Sequence, residues 1–410
     1  MKNTSTVLLL ALLLPVAALA QWQNQGAYVT VYPKTFLTCD STVLVESGTL
    51  RNQGTVVSHD LRSETAGTMR GGGIWEVHGD IHTEGDVLDD GEFQLLGDGD
   101  TVRLATFGNT LYSLTLDKDG PVVAVLQDPL TVRKTLKFLT NQNRIFLGDH
   151  DLLLKSGGGV TNATNTKFVV TNGAGRFRRE NSGSANFTFP VGFSADTYNP
   201  ITLANTGTAD EIGVRVLPTV LSGGGSGSPI TTDGVATMWE LTEAVPGGST
   251  LNLTAQWRTA DELPGFLRTA CSVRRWNGMA WDSSPLGAAT GAGTGANPWK
   301  RSRNGIAGVG YFAVLDGGFP LAPPPDDRSA EGDSLTVAAF PNPTPGPISL
   351  QTEADIRRIA LRDPLGRLVR EANGSMLNGM DLTGLPAGLY LLEVSVEGEA
   401  AARVLKVVKE

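Results

Sequence analysis

The chain has 410 residues, with 50 glycines, 22 prolines, 18 % charged residues and a formal net charge of -9. That length allows two or three domains with cores of their own, and so much Gly and Pro with recurring Thr, Val and Leu favours strands and turns over helices. The acidic balance argues against nucleic acid as a partner, because phosphate binding needs clustered Lys and Arg that release counterions; anionic glycans are disfavoured for the same reason.

In chain order, Lys2 precedes the apolar run 7–14, and Ala18-Leu19-Ala20 places small residues before Gln21. This pattern predicts a secretory signal peptide over residues 1–20, cut between Ala20 and Gln21. No later stretch approaches the roughly 20 apolar residues of a membrane helix, so the mature chain is expected to have no transmembrane segment.

Residues 21–170 repeat a weak unit. Strand-length runs at 42–45, 55–60, 74–81, 92–96, 110–116, 122–126, 130–139 and 144–154 are separated by Gly, Asp or Asn, as in Gly71-Gly72-Gly73 and Asp89-Asp90-Gly91. A unit of this kind cannot bury its apolar face alone, so neighbours must stack. The expected fold is a parallel β-helix-like solenoid with Val56, Leu61, Ile74, Val77, Ile81, Phe93, Leu95 and Leu114 turned inward; a β-sandwich with long loops is the competing reading. Within this region His78, Asp80 and His82 would share one strand face, because side chains alternate with period two. Two imidazoles and a carboxylate suit a divalent transition metal, and a solvated outer face explains the same pattern. The acids at Glu84, Asp86, Asp89, Asp90, Asp98, Asp100, Asp149 and Asp151 sit mostly beside turn glycines, where Asp bonds local backbone; loose calcium binding by the Asp89 to Asp100 turns is the alternative. No cofactor is otherwise expected.

From 171 to 316 the runs lengthen and alternate cleanly, as in Leu251-Asn252-Leu253-Thr254-Ala255-Gln256-Trp257, which predicts half-buried antiparallel strands and a β-sandwich. The Gly-rich stretches 222–228 and 287–297 read as long flexible loops. Trp239, Trp257 and Trp276 read as core, whereas Trp281 and Trp299 flank Gly-rich loops and are candidate exposed contacts for a glycan or a protein. Arg176, Arg178 and Arg179, with Lys167, read either as an anionic-glycan contact or as a solvated edge strand guarded against aggregation. Cys39 and Cys271 lie in different predicted domains and read as two buried small residues rather than a bridge. Residues 317–334 form a Pro- and charge-rich linker.

The last segment, 335–410, is the most specific. Prolines at 341, 343, 345 and 347 hold an extended backbone, and short apolar runs follow, punctuated by turn chemistry at Asp363 to Gly366, Leu385 to Gly388 and Glu397-Gly398. The order Phe340-Pro341-Asn342-Pro343, then Asp363, Gly366 and Arg367, then Leu385-Pro386, Gly388 and Tyr390, then a basic end at Lys406 and Lys409 resembles the type A C-terminal sorting domain of the type IX secretion system of Bacteroidetes-type bacteria. The resemblance implies a small Ig-like β-sandwich, recognition by the outer-membrane secretion machinery, and removal of the tail as the passenger joins a surface glycolipid. Residues 21–170 resemble, in texture, the β-helical ectodomains of sorted surface proteins. The expected protein is therefore all-β, secreted or held at the cell surface, not an enzyme, and adhesive or structural. A polysaccharide-active lyase or hydrolase on the β-helix, or a carbohydrate-binding module using Trp281 or Trp299, is the alternative.

Overall fold

A computed structural model describes residues 21–98, 101–121, 123–319, 337–352, 355–363, 367–374, 377–397 and 403–410. Ala20 with the rest of the signal-peptide segment, Gly366, Asp100 and most of the 317–334 linker lie outside the described residues. The chain is all-β: a solenoid, a sandwich continuous with it, and two small C-terminal sheets. The chain divides into two compact units, Met1–Pro323 and Pro324–Glu410.

Each solenoid coil presents three strand faces. Early in the chain, single long strands, Phe36–Asn52 and Thr55–Arg70, pass around all three. The next coil breaks into Ile74–Val77, Ile81–Thr83 and Asp86–Leu88, each paired in parallel with the strand before it. Alternation sends every second side chain inward, and coil-on-coil register turns these into ladders. On the first face Val56, Trp75, Phe93, Leu114 and Leu136 stack in sequence, all buried, with the Trp75 and Phe93 rings 5.9 Å apart. On the second face the ladder is Val102, Ala124, Ile145, Val169 and Val191. On the third, Leu130, Leu152 and Phe177 align. Fully burying one such large side chain contributes about 1.5–3 kcal/mol, so the ladders dominate the stability of the solenoid. Of the expected inward residues, Ile74 is the exception: it is half-buried, and its neighbour Trp75 takes the interior position.

Corners interrupt the sheet bonding and leave backbone groups in need of partners. Asx side chains supply them across coils. Asn109 accepts the Val87 N–H at 3.1 Å and donates to the carbonyls of Thr83 at 2.7 Å and Gly85 at 2.8 Å. Asp149 and Asp151 accept the N–H groups of Ala174 and Arg176, both at 2.8 Å.

The strand Phe177–Ser182 changes the architecture. It pairs in parallel with Leu152–Leu154 on one side and antiparallel with Asp210–Leu217 on the other. From there the sheet runs antiparallel through Gly234–Glu243, Gly310–Asp316 and Cys271–Arg275. A second sheet of Phe187–Phe189, Ile201–Asn205, Thr250–Trp257 and Trp299–Ala307 faces it. One buried apolar cluster extends from Val31 to Val314. Parallel pairing also continues past residue 170, to Val191–Gly192.

Because Phe177–Ser182 is paired on both sides, Arg178 and Arg179 are not on an edge strand. Arg178 bonds Asp151 of the solenoid at 2.9 Å and Glu211 of the sandwich. Arg176, just before the strand, reaches Glu240 at 2.9 Å, and Arg215 approaches the same carboxylate at 2.6 Å. Arg179 covers the Phe187 ring at 4.4 Å, and burial pulls its guanidinium pKa down.

The C-terminal unit has one sheet of Ala338–Phe340, Pro347–Gln351 and Gly379–Asp381, and another of Leu368–Asn373, Ile356–Arg362, Gly388–Val396 and Arg403–Lys409. Ile348, Ile359, Leu361, Leu382, Leu392, Val394 and Val407 form its core.

Candidate functional site

In the C-terminal unit the signature residues build one connected edge. Proline has no N–H to give a neighbouring strand, so Pro341 and Pro343 offer no donors next to the final strand, Arg403–Lys409. Asn342, between them, substitutes its side chain: its amide donates to the Lys406 carbonyl at 2.7 Å and its oxygen accepts the Val408 N–H at 2.8 Å. Thr344 completes the seam. Its N–H donates to the Val408 carbonyl at 2.8 Å, and its own carbonyl accepts the Glu410 N–H at 3.0 Å. Fully buried, its hydroxyl donates to Pro347 and accepts the Gly346 N–H, both at 3.0 Å. Thr344 was not among the sequence candidates, although its place directly after the Pro-Asn-Pro run pointed to it. Phe340 is 53 % exposed, a large ring left outside the core.

The other signature residues fix turns. Asp363 accepts the Arg367 N–H at 2.9 Å and pairs with its guanidinium at 2.7 Å. The Tyr390 hydroxyl donates to the Pro386 carbonyl at 2.9 Å, with the ring buried, which ties the Leu-Pro-x-Gly-x-Tyr segment back on itself. Leu385 packs against the core. Gly388 has φ +156 and starts the strand that pairs with Lys409. Lys409 is buried.

The solenoid candidates are not brought together. A corner separates His78 from Asp80, so His78, Asp80 and His82 do not share a single strand. Asp80 accepts the Arg103 N–H at 2.7 Å, His82 meets Glu84 at 3.1 Å, and the His78 N–H donates to Ser58 at 3.0 Å. Among the described residues no group of three His, Cys, Asp or Glu side chains is placed to hold a metal ion. Of the turn acids, Asp89, Asp149 and Asp151 do bond backbone, but across coils rather than locally: Asp89 accepts the Gly71 N–H at 3.1 Å, as Asp149 and Asp151 do those of Ala174 and Arg176. Glu84 instead meets His82 and Thr65, and Asp90 pairs with Arg133.

The tryptophan expectation needs correcting. Trp281 is buried, donates to the Leu221 carbonyl at 3.1 Å and meets Trp276 edge-on at 5.9 Å. Trp299 is half-buried, donates to the Thr259 hydroxyl at 2.9 Å and carries the Arg268 guanidinium 5.0 Å from its ring. The Gly-rich stretches are the cause. They are pinned segments that fold over these rings, and glycine permits the approach: a methyl group on Gly224 would lie 2.5 Å from the Trp276 ring. Thr290 likewise bonds Lys300 in both directions, at 3.0 and 2.7 Å. Trp239 and Trp257 are core as expected.

Cys39 and Cys271 are both buried and are not joined by a disulfide. Burial pushes the Cys271 thiol up to about 11 and the Tyr198 hydroxyl up to about 12. Among the described residues no helix is long and apolar enough to cross a membrane.

Residues 338–410 match the family model for a secretion system C-terminal sorting domain. No curated protein and no solved structure matches the chain.

Proposed function

We propose that this chain, which carries a type IX secretion sorting tail over residues 338–410 and is exported by that route to the cell surface or beyond, works outside the cell as a non-enzymatic adhesive or structural scaffold. Its signal peptide would take it across the inner membrane, and its tail would be removed as the passenger joins a surface glycolipid in a Bacteroidetes-type cell. The observation that carries the scaffold reading is the employment of the polar side chains. Carboxylates suited to acid–base work are instead spent on corner N–H groups and on ion pairs across the junction strand, around one apolar core that runs from Val31 to Val314.

Two experiments test this. Cells carrying the chain should lose adhesion or outer-layer integrity when the gene is deleted and regain it on complementation. The purified mature chain, incubated with a panel of polysaccharides, should release neither new reducing ends nor unsaturated products. Saturable cleavage of any of them would overturn the non-enzymatic reading.

A further inference from the structure

On the second face of the solenoid the outward positions Arg62, His82 and Ala105 align from coil to coil. Gln127 is next in line, because Leu104 pairs with Leu126. Ala105 is short where its neighbours are long, so the ladder has a gap. That gap opens a cavity of ≈ 300 Å³ on the solenoid wall. Coils are spaced about 4.8 Å apart, so the stretch from His82 to Gln127 covers about 10 Å along the solenoid axis.

Phe107 lines the same cavity. Its ring is 51 % exposed and stands edge-on to His82 at 4.7 Å. Its backbone is unusual: φ is +49 at Phe107 and +84 at Gly108, in a turn closed by the Asn109 N–H to the Thr106 carbonyl at 2.8 Å. Turns with two positive-φ centres favour Asn-Gly, and a bulky residue there is strained. The other non-glycine residues at positive φ among those described are Lys34, Asp89, Gln142, Asn162, Asn181 and Asp233, all of them polar. Asp128 holds the turn by accepting the Thr106 N–H at 2.8 Å and that of Phe107. A large apolar ring is thus kept in a left-handed position and presented to solvent, where folding alone would select Asn.

The other groups around the gap are donors and acceptors of near-balanced charge. Asp80 is bonded to Arg103, Asp60 caps the Asp80 N–H at 2.8 Å, and Arg62 lies 3.9 Å from Glu64 with its side chain 47 % exposed. An apolar ring face beside fixed donors and acceptors suits a ligand with one C–H face and a hydroxyl rim. An anionic ligand would set its charge against Asp60 and Asp80.

We propose that this gap is a binding site for a neutral oligosaccharide, with one sugar ring stacked on Phe107 and its hydroxyls bonded to Arg62, Arg103 and Gln127. The site deepens the adhesive reading, on which it rests for access to external glycans. The test titrates the full mature chain with neutral hexasaccharides of the cello, xylo, manno and chito series, and with an oligogalacturonate as the acidic probe. At least one neutral probe should bind saturably, and Phe107→Gly and Ala105→Gln should each weaken it about tenfold or more. Phe107→Gly should melt at the same or a higher temperature, because glycine takes the left-handed backbone without steric cost; its loss of binding then reports the missing ring and not misfolding. No saturable binding by any neutral probe, unchanged binding in both variants, or preference for the oligogalacturonate overturns the proposal. Binding is read on the purified chain, so a chain that binds while wild-type cells fail to adhere supports the site and overturns only the adhesive reading.

Discussion

Asn342 offers a direct test of how the sorting tail seals itself. Its side chain makes two hydrogen bonds to the last strand, 2.7 Å to the Lys406 carbonyl and 2.8 Å to the Val408 N–H. At a net value of about 1 kcal/mol each, Asn342→Ala removes about 2 kcal/mol from the local closure of that edge. With 1.4 kcal/mol to a factor of ten, the Val408 amide should exchange with solvent about 30-fold faster in native-state hydrogen exchange. Asn342→Asp separates the two bonds: it still accepts from Val408 but sets a carboxylate against the Lys406 carbonyl. Val408 should therefore stay protected in the Asp variant while the tail unfolds at lower denaturant. Exchange at Val408 that Asn342→Ala leaves within about threefold of wild type would refute the claim that this side chain stands in for the missing proline donors.

Gly388→Val forces a β-branched residue into φ +156, which L side chains rarely adopt; fractionation should show the protein retained in the periplasm, and undiminished surface display would count against a folded-state role for this turn. Glu240→Gln neutralises a carboxylate that is 8 % exposed and held by Arg176 and Arg215. Breaking such a pair should cost about 2–3 kcal/mol, discounted from the fully buried case because both guanidinium groups touch solvent. Trp fluorescence in a urea titration reads this loss in the first unit alone, since the tail carries no Trp. For Cys271, the folded thiol titrates near 11 against an ordinary 9.0. Below pH 9 both states hold the proton and nothing changes; between 9 and 11 only the unfolded thiol loses it, so stability falls by about 1.4 kcal/mol per pH unit. Cys271→Ala should flatten that slope, leaving the part due to Tyr198, and an unchanged slope would show that the thiol is not the group responsible.

Much of this was legible in the sequence, and the failures have physical causes. Phe93 and Leu114 could be placed inward because each sits between polar neighbours. Ile74-Trp75 could not, since two adjacent apolar residues satisfy either phase of a period-two pattern. The corner at 78–80 breaks the strand too briefly to disturb hydrophobic periodicity, which is why His78 was grouped with Asp80 and His82. Trp281 stands as a candidate for exposure because the glycines around it read as flexible, whereas in the fold those glycines let backbone close over indole rings. The tail motif was readable because its turn and proline positions are local chemistry. Its buried Thr344 was missed because Thr-Pro-Gly after a proline run reads as an ordinary turn.

The junction strand Phe177–Ser182, parallel on one side and antiparallel on the other, makes the solenoid a spacer of adjustable length. The sandwich after this strand depends only on the coils it rests upon, not on how many coils lie beneath. A duplicated coil would push the sandwich outward by about 4.8 Å without altering a contact inside it. Length and local geometry are thereby uncoupled: the solenoid can change by whole coils while the wall that carries Phe107 and the sandwich next to the last coil keep their own geometry.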